Sequence, residues 1–285
     1  MSKPPRLTLP SDARAYRLTT ARGAFAVHEA GAPTRGTALL VPGFTGSKED
    51  FIGLLEPLAA AGYRAVAVDG RGQHESPGPR EEAAYALEEL ALDVLAQAEA
   101  LDAGRVHLVG HSLGGLIARA AVLRDASPFA SLTLVSSGPA AISEEQQART
   151  KLLVAALEAM HGDMAGIWTA MRAHDPQDAV ADSPELAHFL RERWLATVPE
   201  QLMATGRILV SEPDRVEELS RVDLPKLVVS GEVDYAWPVP LMDDMTDRLG
   251  AERVVVPGAE HSPNAENPLV TAGALTAFWR SVVSE

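Results

Sequence analysis

The sequence predicts an α/β protein: a mostly parallel central sheet, helices on both faces, and a helical segment inserted after the sixth strand. Three observations carry this. Short apolar, β-branched runs recur without polar alternation, as strands buried on both faces require. Helix-patterned stretches separate them, as crossovers between parallel strands demand. One long interval, between Ser136 and Lys226, holds helical patterns and no convincing strand.

The elements follow in order. Tyr16–Thr20 and Phe25–Glu29 alternate around Ala21-Arg22-Gly23, the pattern of a β-hairpin. The buried runs are 38–41, 65–68, 106–109, 132–135, 227–229 and 253–256. Between and after them, 50–61, 81–100, 113–123, 241–249 and 268–283 read as helices. Inside the long interval, 144–160, 164–172, 184–196 and 200–210 do the same, punctuated by Pro139, Gly162, Pro176, Pro184, Pro199 and Pro213. Residues 1–138 and 226–285 are therefore expected to form one core domain. Residues 139–225 are expected to form a helical lid over an edge of the sheet, because long insertions in compact domains are usually functional. The other reading of that interval is a separate helical domain with no part in a site.

Composition excludes several functions. The chain has 285 residues, 46% hydrophobic and 22% charged, which is ordinary globular usage. A formal charge of −14 argues against a nucleic-acid partner. No cysteine is present, which removes disulfides, thiolate metal sites and thiol nucleophiles. No apolar run suits a secretory leader or a membrane span, so a cytoplasmic protein with no membrane partner is expected. The interval 139–225 holds 8 basic and 15 acidic residues, making it the more densely negative part. That disfavours strongly anionic substrates.

The sharpest local feature is Gly110-His111-Ser112-Leu113-Gly114-Gly115, directly after a buried run and before a helix. Gly-x-Ser-x-Gly in that context holds a serine proud of a tight strand-to-helix turn. The helix N-terminus behind it offers amides and a positive dipole end. A serine hydroxyl needs a base, and the base needs an orienting acid. Of eight histidines, His74 and His261 follow core strands and reach the sheet edge where ligands bind. His261 also stands in the chain order serine, acid, histidine. Glu232 and Asp234 both follow the run 227–229 and compete for the acid role. Amides able to hold an oxyanion should come from Leu113 and from Pro42-Gly43-Phe44, where Pro42 has no N–H and Phe44 is the plausible donor. Trp237, Trp168, Trp194 and His74 are candidate substrate contacts.

Taken together, Val41-Pro42-Gly43-Phe44, Asp69-Gly70-Arg71-Gly72, the serine elbow, Gly231-Glu232-Val233-Asp234 and Gly258-Ala259-Glu260-His261 resemble the α/β-hydrolase superfamily from about Tyr16 to the last helix. The resemblance implies Ser112 as nucleophile, Asp234 as acid, His261 as base, and Phe44 and Leu113 as oxyanion donors. It makes 139–225 the family's cap. Pro42 stands where members often carry histidine, and His74 where a second glycine is common. A serine at the elbow argues against relatives that displace halide or open epoxides. The expected activity is hydrolysis of a small to medium, mainly uncharged carboxylic ester or lactone, without cofactor or metal. Thioester, C–C, peracid or lyase chemistry on the same fold is the alternative, and a non-catalytic ligand-binding protein is the alternative of another class.

Overall fold

A computed structural model describes residues 2–173 and 182–282. His174 and Pro176 of the inserted interval, and the end of the last expected helix at Val283, lie outside the described residues. In chain order the elements are β1 (Arg14–Thr20), β2 (Gly23–Ala30), β3 (Gly36–Val41), α1 (Ile52–Ala60), β4 (Tyr63–Val68), α2 (Leu87–Ala100), β5 (Val106–His111), α3 (Leu113–Arg124) and β6 (Phe129–Val135). Then come α4 (Glu144–Ala159), α5 (Met164–Arg172), α6 (Pro184–Ala196), α7 (Pro199–Ser211), α8 (Val216–Ser220), β7 (Lys226–Gly231), α9 (Val239–Leu249), β8 (Glu252–Val256), α10 (Pro263–Glu266) and α11 (Pro268–Val282).

The strands form one eight-stranded sheet in the order β1-β2-β4-β3-β5-β6-β7-β8. The β1–β2 hairpin and the β2–β4 pair are antiparallel, and every pair from β4 to β8 is parallel. Side-chain alternation sorts the continuous apolar runs onto two cores. Leu39, Val41, Val66, Val68 and Val228 join the layer holding α2, α3 and α9. Ala38, Leu40, Ala65, Ala67, Leu227 and Val229 join the layer under α1 and α11. This double burial is why these strands carry no polar face.

Two local features depart from the sequence pattern. The helix expected over 81–100 breaks at Ala86, whose backbone is extended (φ −56°, ψ 148°), leaving a 3-10 turn at Glu82–Tyr85 ahead of α2. Tyr85 causes the break: its ring is fully buried and its hydroxyl donates to the Pro79 carbonyl at 2.6 Å. The short α8, which had no helix-length pattern, forms because Val216 and Leu219 dock into the core.

Helices α4 to α8 all lie between β6 and β7. Val154, Leu157, Met164, Ile167, Trp194, Leu202 and Met203 make a small core of their own, with Phe44 packed against it. Two buried arginines tie these helices to the sheet domain. Arg119 of α3 donates to Glu212 at 2.9 Å and to the Pro139 carbonyl. Arg193 of α6 donates to Asp50 at 2.8 Å, Ser47 at 3.3 Å and the Ser2 carbonyl at 2.6 Å.

Candidate active site

The site assembles where β3, β5, β7 and β8 end. Ser112 caps α3 with φ 55° and ψ −120°, a region L-residues rarely occupy. Its amide donates to the Val135 carbonyl at 2.9 Å, which locks the turn to β6. Glycine at 114 is required by close approach: a Cβ there would lie 2.3 Å from the Val41 carbonyl oxygen and 2.6 Å from that of Pro42. The start of α3 is thus pressed directly onto the end of β3.

The loops after β7 and β8 bring the partners. The Ser112 hydroxyl lies 3.1 Å from His261 Nε2, and His261 Nδ1 lies 2.8 Å from Asp234 Oδ2. The second Asp234 oxygen accepts from the Ala236 amide at 2.8 Å and the Trp237 amide at 3.0 Å. All three side chains are buried. The chain order that favoured His261 therefore corresponds to one continuous hydrogen-bonded chain. The competing residues are occupied elsewhere. Glu232 is exposed and accepts from the Gly258 amide at 3.0 Å, bracing the turn before His261. His74 Nδ1 lies 3.3 Å from Glu49 Oε2 and 3.8 Å from Asp69 Oδ2.

His111 sits beside the serine and serves the same chain. Burial pulls its imidazole down to about 3, so it is neutral at any working pH. Its Nε2–H donates to the His261 carbonyl at 2.8 Å, fixing the backbone of His261. Tyr235 tilts over the His261 ring, with centroids 4.8 Å apart. Burial and the Asp234 carboxylate raise its phenol to about 12, so it is neutral.

After β3, Gly43 lies against the serine. A Cβ at 43 would come within 3.2 Å of Ser112 Cβ and 3.3 Å of His111 Nδ1. Gln73, which the sequence did not single out, holds this loop: its Nε2 donates to the Gly43 carbonyl at 2.8 Å and to that of Phe44 at 3.3 Å.

A cavity of about 750 Å³ opens over Ser112 and His261, a size suited to small organic ligands. Phe44, Ile142, Leu153, Ile167, Met171 and Trp194 give it mainly apolar walls, several of them from α4 to α6. Of the four expected contacts only Trp194 lines it. Trp237 is fully buried behind the site, with its indole N–H donating to the Ala140 carbonyl at 2.8 Å. Trp168 faces a separate cleft beside Arg172 and Leu190. His74 is drawn away by its acidic neighbours and packs edge-on against Phe189, with centroids 5.6 Å apart.

Those neighbours raise the question of a cation. Glu49, Asp69 and His74 offer ligand atoms within 4.8 Å of one another. Lys48 already supplies the positive charge, with Nζ at 2.8 Å from Glu49, 3.0 Å from Asp69 and 2.8 Å from Glu75. The cluster is an ion-pair network in which one buried lysine serves three carboxylates, with the exposed Glu75 at its outer edge.

The family model for the alpha/beta hydrolase fold matches residues 38–268. The chain is a member of the α/β-hydrolase fold family. The hydrolase is 31% identical over 221 residues to a pimeloyl-[acyl-carrier protein] methyl ester esterase of Aeromonas hydrophila, an alignment covering 74% of this chain and 83% of the relative. It is 25% identical over 235 residues to 3-oxoadipate enol-lactonase 1 of Acinetobacter baylyi, covering 81% and 85%. Among solved structures, an esterase from Thermogutta terrifontis superposes with a TM-score of 0.75 at 24% identity, covering 94% of this chain and 99% of that one. No helix among the described residues is long and apolar enough to cross a membrane.

Proposed function

We propose that this α/β hydrolase is a carboxylesterase-like serine hydrolase acting on a small to medium, mainly uncharged carboxylic ester or lactone through an acyl-enzyme. The observation that carries the reading is the hydrogen-bonded chain from Ser112 through His261 to Asp234, at 3.1 and 2.8 Å. In the proposed cycle His261 Nε2 takes the Ser112 proton as Oγ attacks the ester carbonyl. Asp234 holds His261 with Nδ1–H toward the carboxylate and stabilises the imidazolium. The Phe44 and Leu113 amides receive the oxyanion. The tetrahedral intermediate collapses as His261 passes its proton to the leaving alkoxide. Water, deprotonated by the same histidine, then releases the acid and regenerates Ser112.

The substrate class rests on the cavity and the charge. Apolar walls favour an uncharged acyl or alcohol group, and a net charge of −14 repels anionic substrates. The relatives' names, a methyl ester esterase and an enol-lactonase, point to the same bond type. Helices α4 to α8 are read as the cap, because α4 to α6 supply much of the cavity wall. The test is turnover of p-nitrophenyl esters from acetate to octanoate by the protein and by Ser112→Ala. Turnover that Ser112→Ala abolishes while its circular dichroism is unchanged supports the reading. Undiminished turnover by the folded variant sinks it.

A further inference from the structure

We infer that Gln73 is a positioning residue for the reaction: by gripping the Gly43 carbonyl it aims the Phe44 amide at the developing oxyanion. The inference rests on the esterase reading and adds to it a residue that never touches substrate. The Gly43 carbonyl and the Phe44 N–H belong to one peptide group. A trans peptide is planar and sets these two groups on opposite sides. Whatever fixes the carbonyl therefore fixes the direction of the amide.

Gln73 Nε2 donates to the Gly43 carbonyl at 2.8 Å and to the Phe44 carbonyl at 3.3 Å. The same Gly43 oxygen also accepts from the Gly46 amide at 3.2 Å. The Phe44 N–H is thereby turned away from the 69–76 loop. Gly43 has no Cβ to restrict its φ, so its own backbone sterics do not fix how this peptide is turned. A freely flipping peptide there would present a carbonyl oxygen where an N–H is needed, replacing attraction by repulsion.

Gln73 is itself held rigidly. The residue is 4% exposed, and its Oε1 accepts from the Gly70 amide at 3.0 Å. Its own amide donates to the Gly70 carbonyl at 3.0 Å, and its carbonyl accepts from the Ser76 amide at 2.8 Å. Burial of the amide group leaves its two bonds to β3's loop unreplaced by water when they are lost. The turn it sits on is clamped from the other side by the Val198 amide, which donates to the Gly72 carbonyl at 2.8 Å. A glutamine here therefore transmits a fixed frame to the peptide that needs fixing.

The experiment compares Gln73→Met and Gln73→Glu with the unaltered protein, using p-nitrophenyl butyrate turnover and inhibition by a trifluoromethyl ketone that mimics the tetrahedral intermediate. Removing an oxyanion donor outright costs about 10²–10³ in kcat, so misaiming one should cost about ten- to a hundredfold. KM should stay within about twofold, and the affinity for the trifluoromethyl ketone should fall in parallel with kcat/KM. Gln73→Glu adds a second readout that does not depend on Gln73→Met folding. Protonated, its carboxyl can donate to the Gly43 carbonyl as glutamine does; ionised, it repels it. Its activity relative to the unaltered protein should therefore rise as pH falls. A folded Gln73→Met with unaltered kcat overturns the inference. So does a loss of kcat with no loss of inhibitor affinity, or a Gln73→Glu ratio that is flat with pH. Failure of the esterase reading is separate, since Ser112→Ala would then still turn over substrate.

Discussion

Replacing Asp234 by asparagine isolates the electrostatic part of the site. Asp234 has two jobs on two oxygens. Oδ1 accepts from the Ala236 and Trp237 amides at 2.8 and 3.0 Å, and Oδ2 faces His261 Nδ1 at 2.8 Å. Asparagine can keep its oxygen on the two amides and so preserve the turn. It must then present an NH2 group to Nδ1. That group is a donor, so His261 adopts the tautomer with its proton on Nε2. A protonated Nε2 lies 3.1 Å from the Ser112 hydroxyl and cannot accept its proton. The charge that would stabilise the imidazolium is also gone. The combined loss in comparable sites is about ten-thousandfold in kcat, roughly 5.5 kcal/mol of barrier at 1.36 kcal/mol per tenfold. Stability should change by no more than about 1 kcal/mol, because the amide bonds remain. The assay pairs steady-state hydrolysis of p-nitrophenyl butyrate with urea unfolding. Glu232→Gln is the control: its carboxylate meets the Gly258 amide and not the base, so turnover should stay within about twofold. A folded Asp234→Asn within tenfold of the unaltered kcat refutes the reasoning, and a Glu232→Gln that loses activity instead would move the acid role to Glu232.

Three further outcomes are expected. Gly114→Ala would place a Cβ 2.3 Å from the Val41 carbonyl oxygen, so β3 and its loop must shift; stability should fall by about 1–3 kcal/mol and kcat by at least tenfold, read by urea unfolding and ester turnover. Arg193→Met should cost about 3–5 kcal/mol, because it strands the fully buried Asp50 carboxylate without its 2.8 Å partner; a change under 1 kcal/mol in urea unfolding would show that this pair does not anchor α6. Burial holds His28 and His107 at about 4 and His111 at about 3, against about 6.5 in the unfolded chain. Between about pH 6.5 and 4 the unfolded chain therefore binds more protons. The stability present above pH 6.5 is lost as pH falls, by up to about 4 kcal/mol per unit if all three act. Urea midpoints from pH 7.5 to 4.5 test this, and His107→Phe should flatten the slope by about a third.

The sheet was legible because double burial writes itself as uninterrupted apolar runs, and those at 38–41 and 65–68 need no polar alternation to be recognised. That Ser112, Asp234 and His261 would meet was legible because each follows such a run, and chain order places those ends side by side. Glu232 could not be told from Asp234 by spacing alone; what separates them is that one carboxylate turns inward and the other ties down Gly258. Aromatic content misled, since Trp237 is buried behind the His261 ring, 6.4 Å away between centroids, and spends its N–H on Ala140. Trp168 packs against the small core of the inserted helices and lines a different cleft. Gln73 and Arg193 were invisible for a different reason. Their partners lie 30 and 143 residues away, and a single polar residue in a loop or on an amphipathic helix carries no periodic signal of what it will meet.

The central claim is that Ser112 is a nucleophile activated by His261. The most direct measurement is intact-protein and peptide mass spectrometry after exposure to a fluorophosphonate. One adduct per chain, located on the peptide containing Ser112 and absent from Ser112→Ala, is the predicted result. A folded protein that remains unlabelled, or one labelled on another residue with Ser112 free, contradicts it.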